Sequence, residues 1–238
     1  VFSGFSLSFG LLFPTFLTAL VYLPWMMWGL DELLGNSRFS WKLILAVALQ
    51  SMVSFYFLYM DAAFFILYVI LRFVCNRNAI LDHQYLKACV RIVFHVIVGM
   101  MISGMFLMPA LYQYLHSART GESSLLKYLR QGYSVSEWLE RGSGILTGPG
   151  FRSGLGLCFI SISAVAIGIK KLIKNRKNRN DITYDGEMPL NILVVILLAG
   201  YCIPFFGSIM NGFSYSTDRW TYLLVFVIAS SMARYLPD

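Results

Sequence analysis

The feature that most constrains this chain is a succession of apolar runs: Leu17–Leu30, Leu43–Tyr59, Ala62–Val74, Ile92–Leu111, Leu155–Ile169, Leu190–Phe206 and Tyr222–Tyr235. Taken with its flanks, each is about long enough to be a membrane segment, because a hydrocarbon core of about 30 Å takes about 20 helical residues. The runs are continuous and do not alternate every second residue, which argues against a barrel. Charge agrees with this reading. Only 13% of the 238 residues are Asp, Glu, Lys or Arg, against roughly 25% in a soluble domain. The fold class is therefore all-α: a polytopic transmembrane helical bundle of about seven membrane segments, one domain over residues 1–238.

Several features bear on completeness and chemistry. The first residue is Val, and neither a charged n-region nor a signal peptide precedes the first run, so the chain reads as a fragment lacking its N-terminal part. Four cysteines (Cys75, Cys89, Cys158, Cys202) fall in segments assigned within or inside the membrane and read as buried small hydrophobes rather than a disulfide framework. His83, His95 and His116 form no metal-ligand spacing, so no metal and no cofactor is expected. His95 reads as a satisfied helix-packing histidine.

Orientation comes from the basic residues. Lys170, Lys171, Lys174, Arg176, Lys177 and Arg179 crowd one short segment. Short basic loops stay cytoplasmic, so 170–188 is the inner anchor; nucleic-acid binding is set aside and contact with anionic lipid is secondary. Counting outward from it, residues 116–153 and Met210–Arg219 lie outside, and the segment carrying Arg72, Arg77, Lys87 and Arg91 lies inside. Trp41–Val74 spans 34 residues, about 50 Å as one helix, too long for one span and too short for two. A hairpin of two short helices resolves this, with its tip near Ser54–Asp61. Exposed backbone at that depth is tolerated only where protein or a water-filled cavity surrounds it. Asp61 there costs roughly 2.5–3.5 kcal/mol on insertion scales, so it should line a wet cavity or pair with a cation.

Helix packing leaves its own marks. Gly154, Cys158, Ser161, Val165 and Gly168 make a small-residue stripe, Gly99 and Ser103 make another, and both permit close backbone approach. Pro24, Pro109 and Pro204 are expected to kink or end helices. In the long outer loop, Leu125, Leu126, Leu129 and Trp138 interleave with charged residues, the pattern of a short interfacial helix. Polar groups thus collect outside: the stretch Val1–Pro14, the hairpin tip, the long loop and Met210–Arg219. A basic, aromatic, partly sunken cavity of this kind suits a lipid-linked phosphate, since Arg presents a planar fork to phosphate oxygens. Composition allows a transporter equally well.

Three stretches carry a resemblance. PFFGSIMNGFSYSTDRW (Pro204–Trp220) closely resembles the late segment of the YfhO family of bacterial membrane proteins. YLPWMMWGLDELL (Tyr22–Leu34) and SFYFLYM (Ser54–Met60) resemble two further family stretches in the same order, with Ser54 where the family carries Asn. The resemblance implies a GT-C-like glycosyltransferase of the bacterial cytoplasmic membrane, multi-pass, with its site on the extracytoplasmic face. It would move a sugar from an undecaprenyl-phosphate carrier to a cell-envelope polymer such as lipoteichoic acid. Its partners would be the polyprenyl-phosphate-linked sugar, the polymer acceptor, membrane lipids, a carrier-loading glycosyltransferase and a small flippase. The competing readings are a transporter or flippase for lipid-linked envelope precursors, or a scaffold for their assembly.

The resemblance also distributes roles. The family's catalytic acid resembles an Asp followed shortly by Gln-Tyr in the first outer loop. The chain reads as beginning after that motif, so the catalytic residue is unknown and is expected upstream. Arg219 is the leading cation for the leaving phosphate, supported by Asn211 and Tyr215, with Asp218 holding Arg219 in place. Tyr56 and Asp61 at the hairpin tip complete the substrate-binding set, and Arg119, Arg130, Arg141 and Arg152 are weaker alternatives for the cation. The plain alternative for Arg219-Trp220 is an interfacial anchor pair beside a helix.

Overall fold

The computed structural model describes residues 15–35, 37–75, 83–116, 132–146, 159–177, 187–212 and 217–235. Among these residues every regular element is helical: α1 (Thr15–Leu34), α2 (Trp41–Val53), α3 (Phe55–Cys75), α4 (His83–Ile102), α5 (Gly104–Leu115), α6 (Val135–Leu146), α7 (Phe159–Lys177), α8 (Glu187–Tyr201), α9 (Pro204–Met210) and α10 (Thr221–Tyr235). They fall into two compact units, residues 14–123 and residues 124–238 with 1–13. α3 and the Tyr85–Ile102 part of α4 are each long and apolar enough to cross a membrane, and α8 with α9 makes a third such segment if the bent pair is one span. α2 and α10 are shorter apolar helices. The all-α membrane bundle expected from the apolar runs is the architecture found.

In the 14–123 unit, α2 packs against α1 and α4, and small residues set the spacing. A Cβ added at Gly99 of α4 would come 2.8 Å from the Ile44 carbonyl oxygen and 2.9 Å from Val47 Cβ. One turn on, Ser103 hydrogen-bonds Ser51 of α2 side chain to side chain. The Gly99–Ser103 stripe is therefore the seam between these helices. Ser103 also ends α4, because its hydroxyl donates to the carbonyls of Gly99 (3.3 Å) and Met100 (3.0 Å), a back-bonding that competes with the helical ladder and bends it. The run expected as one segment, Ile92–Leu111, is consequently divided into α4 and α5.

Where a tip near Ser54–Asp61 was expected, the break between α2 and α3 is the single residue Ser54. Ser54 is extended (φ −159°, ψ 106°) and closes α2 by donating its N–H to Gln50 O. Its own carbonyl accepts from Leu58 N at 3.2 Å, opening α3. Residues 55–61 are helical, and α3 runs to 21 residues rather than forming a short arm. Pro24 and Pro109 lie inside α1 and α5 without ending them.

The second unit is built on α7, α8 and α10 packed together. Gly168 of α7 lets Asn191 of α8 close in: a Cβ there would sit 2.7 Å from Asn191 Oδ1. Asn191 in turn exchanges hydrogen bonds with the Tyr235 hydroxyl at 2.8 and 3.0 Å, and Lys171 lies over that ring at 4.5 Å. Of the α7 stripe, Ser161 and Gly168 are buried, while Gly154 and Cys158 lie outside the described residues. Helix α7 carries on through Lys177, so the first half of the basic segment 170–188 is its last two turns.

Candidate functional site

The family-like stretch Pro204–Trp220 begins at the sharpest feature of the fold. Met188–Tyr201 and Pro204–Met210 are bent by 109° across Cys202 and Ile203. Local chemistry makes this bend. Pro204 has no N–H to donate to the preceding turn, and it forces Ile203 into extended geometry (φ −119°, ψ 116°). Gly200 leaves room for the returning chain, since a Cβ there would meet the Phe206 ring at 2.8 Å. Phe206 packs edge-on against Trp220 with centroids 4.7 Å apart. The segment Leu190–Phe206, expected as one exit across the membrane, is therefore a broken one. Cys202, expected as a buried small hydrophobe, is exposed because it sits in the break outside either helix.

Among the described residues beyond the bend, several are buried. Met210, Asn211, Trp220, Thr221 and Tyr222 are all at most 6% exposed. Asn211 caps α9, with its N–H on the Ser208 and Ile209 carbonyls, and Gly212 takes the left-handed φ of 63° that turns the chain away. Ser208 Oγ and Trp220 Nε1 are buried with no hydrogen-bond partner among the described residues. An orphaned buried donor costs about 1–3 kcal/mol, a cost that a binding site tolerates where a ligand or water supplies the acceptor.

Arg141 of α6 is tied into this region. Its Nη2 lies 2.8 Å from each Asp218 carboxylate oxygen, and its Nη1 donates to the Tyr201 carbonyl at 3.0 Å. The guanidinium lies 4.0 Å from the Tyr133 ring centroid and 4.9 Å from that of Tyr201. Only 11% of the Arg141 side chain and 15% of Asp218 are exposed. Burial lifts the Asp218 carboxyl above the usual carboxylate range, against the opposing pull of Arg141. The Tyr201 carbonyl belongs to the last residue of α8, where helical carbonyls have no acceptor role left inside the helix. Arg141 therefore satisfies three things at once: a helix end, a buried carboxylate and two aromatic faces.

The residues predicted from sequence fall in different places. Asn211, Asp218 and Arg219 lie on the stretch after the bend. Asp218, expected to hold Arg219, is engaged through both oxygens by Arg141, which sequence reading ranked among the weaker cations. Arg219 is half-buried, with its N–H 3.4 Å from Thr217 Oγ1. Tyr215 lies outside the described residues, as do Arg119, Arg130 and Arg152. Tyr56 and Asp61 belong to the other unit, on the first two turns of α3. Asp61 is fully buried, and Tyr56 stacks edge-on with Phe57 at 5.5 Å. Four residues before Ser54, Gln50 is fully buried, with both amide atoms unpartnered among the described residues.

Sequence reading missed a polar network in the 14–123 unit. Asp31 accepts from Tyr68 Oη at 2.8 Å and Arg72 Nη2 at 3.4 Å. Glu32 accepts from Ser40 Oγ at 2.9 Å and is ion-paired with Lys42, whose ammonium lies over the Trp28 ring at 3.4 Å. The Ser40 N–H donates to His95 Nε2 at 3.2 Å, and His95 Nδ1 lies 2.7 Å from the Arg91 carbonyl. That pairing fits a neutral ring protonated on Nδ1 and makes His95 the packing residue that its place in the helix implied. The signal was present: Asp31 and Glu32 stand in a flank whose other charges are Arg38 and Lys42. A string of an acid followed by Gln-Tyr also occurs at Asp82–Tyr85, on the segment that charge counting puts inside. Asp82 lies outside the described residues, and the Tyr85 hydroxyl donates to the Val69 carbonyl at 2.6 Å.

Comparison with known proteins adds identity to this geometry. A family model described as "Bacterial membrane protein YfhO" matches residues 1–237. The chain is also similar to a protein of Bacillus subtilis (strain 168) described as "Uncharacterized protein YfhO", with 26% identity over 221 residues. That match covers 92% of this chain and 22% of the relative's length. No solved structure matches.

Proposed function

Because the chain belongs to the YfhO family of bacterial membrane proteins, we propose that it is part of a multi-pass glycosyltransferase of the bacterial cytoplasmic membrane. The reaction moves a sugar from an undecaprenyl-phosphate carrier to an envelope polymer such as lipoteichoic acid, on the outer face. The observation that carries this reading is the 109° bend, which buries Asn211 and leaves Ser208 Oγ and Trp220 Nε1 without partners among the described residues. Broken backbone inside a membrane protein persists where it lines a site, and here it falls within the stretch that most resembles the family.

In this reading the acceptor hydroxyl gives its proton to a carboxylate while its oxygen attacks the anomeric carbon. The bond from that carbon to the carrier phosphate breaks, and the electron pair leaves with the phosphate. Arg219 and Asn211 face the charge that develops on the leaving group, where a positioned cation lowers the barrier. Tyr215 completes the proposed carrier-binding set, and Asp218 takes part through its hold on Arg141. The general base is a carboxylate from another part of the protein, and the partners are the carrier-loading enzyme and the flippase that supply the donor.

A broken helix also suits a transporter of the same lipid-linked sugar, and one experiment separates the two. Membranes are supplied with polyprenyl phosphate carrying a radiolabelled sugar, and the label is followed. Transfer predicts label in the polymer with stoichiometric release of polyprenyl phosphate. Label that crosses the bilayer still joined to its carrier assigns the protein to transport and overturns the transferase reading.

A further inference from the structure

Helix α6 presents three differently built sides. Its start is fixed by a capping box: Ser134 N–H and Oγ both donate to Glu137 Oε2 at 2.8 Å, and Glu137 N–H lies 3.4 Å from Ser134 Oγ. One side faces protein, where Gly144 is buried and Arg141 grips Asp218 and the end of α8. A second side carries Ser136, Glu140 and Ser143, all exposed. The third is an apolar stripe at helical spacing, in which Val135 is 78% exposed, Trp138 47% and Leu139 70%. Gly142 continues that stripe, and a Cβ added to it would meet nothing within 4 Å.

The tie between α6 and α8 indicates what covers this stripe. Arg141 fastens α6 to Tyr201, the end of the apolar helix that with α9 makes a candidate membrane segment, which sets α6 beside an end of that segment. Trp138 pairs edge-on with Tyr133 at 6.0 Å, and amphipathic aromatic rings concentrate at head-group depth. We propose that α6 is a bilayer-seated strap: its Val135–Trp138–Leu139 face lies in the lipid head-group boundary, and Arg141 on its inner edge clasps the α8–α9 bend. The charge pattern defines the mode of seating. Residues 132–146 carry Glu137, Glu140 and Arg141 as their charged groups, and Arg141 is already engaged by Asp218. Seating of α6 therefore rests on apolar and aromatic insertion, with no attraction to anionic lipid from the helix's own charges, unlike a basic interfacial helix. This goes beyond the sugar-transfer reading and holds whether or not that reading survives.

The test uses the full-length protein in nanodiscs, with its native cysteines replaced by serine and single nitroxides at Leu139→Cys or Ser136→Cys. Collision with oxygen against a water-soluble nickel chelate reports depth. In phosphatidylcholine the label at 139 should be lipid-accessible and the label at 136 water-accessible; water access at both positions overturns the seating. Adding phosphatidylglycerol should leave the depth at 139 unchanged, and a deeper position would overturn apolar seating. Gly142→Leu should move the 139 label deeper, and no movement would count against the stripe. For the clasp, spin–spin distances between labels at Ser136→Cys and Thr217→Cys should broaden in Arg141→Ala and narrow again in Arg141→Lys. A distribution unchanged in Arg141→Ala overturns the clasp, and equal broadening in both variants reduces Arg141 to general stability.

Discussion

The ion pairs of the two units are made from the same groups and differ in where they sit. In the 14–123 unit, Asp31–Arg72 and Glu32–Lys42 lie at helix ends, with side chains 18–45% exposed. In the 124–238 unit, Arg141–Asp218 is 11–15% exposed, locked between two tyrosine rings beside a broken helix. Exposed pairs contribute about 0–1 kcal/mol because water screens them and side-chain entropy opposes them. Removing one member of a buried pair strands a charge and costs about 3–5 kcal/mol. The first unit thus keeps its charges at half-exposed helix ends, whereas the second buries its ion pair against the end of the broken helix.

The largest predicted effect breaks that contrast at its strong end. Arg141→Ala should destabilise the protein by about 3 kcal/mol, read by thermal unfolding in detergent, and Arg141→Met with Asp218→Leu should recover most of the loss. Equal loss in the double variant would show that packing, not stranded charge, sets the cost. Next come the close-approach glycines, at about 1–3 kcal/mol for overpacking. Gly99→Ala meets a backbone carbonyl of α2, which cannot give way, so it should cost more stability than Gly200→Ala, whose Cβ meets the Phe206 ring. Gly200→Ala should sit at the low end of that range, about 1 kcal/mol, and impair sugar transfer by disturbing the bend. At the weak end, Arg72→Met should change stability by under about 1 kcal/mol.

Acid sharpens the same comparison through opposite signs. Hydrogen bonding and charge from Lys42, aided by Ser40, hold Glu32 below its ordinary 4.5. Its stabilising contribution is present above that value and is lost as pH falls through the lower folded value. Asp218 is raised by burial above its ordinary 3.8. Its contribution is present below 3.8 and is lost as pH rises through the folded value. In unfolding measured against pH, Glu32→Gln should flatten the acid limb below about 4.5. Asp218→Asn should flatten the profile just above 3.8. Flattening in the reversed windows would contradict both assignments.

The helical bundle was legible because apolar runs report burial in lipid directly, and the seam at Gly99–Ser103 was legible because small residues at helical spacing have one structural use there. Breaks were partly legible. Pro204 announces the bend after Tyr201, since a missing N–H and a constrained preceding residue are local effects. Ser103 does not announce the break after Ile102, because a serine interrupts a helix only when its hydroxyl turns back on the carbonyls behind it. Partners were least legible. Asp218 precedes Arg219 in sequence, which suggested a local pair, yet Arg141 reaches it across 77 positions. Nothing in the composition of the loop distinguishes Arg141 from the other outer arginines; its place on a capped helix beside two tyrosines does.

The central claim is that the stretch after the bend meets the carrier phosphate through Arg219 and Asn211. Its most direct measurement is transfer of labelled sugar from polyprenyl phosphate to polymer by membranes containing Arg219→Lys or Asn211→Ala, at matched protein abundance. The account predicts a loss of about a hundredfold for Arg219→Lys, the scale of removing one donor from a charge-stabilising site, with unchanged thermal stability and a smaller loss for Asn211→Ala. Transfer at the unsubstituted rate in Arg219→Lys would contradict it and leave Arg219 as an interfacial anchor.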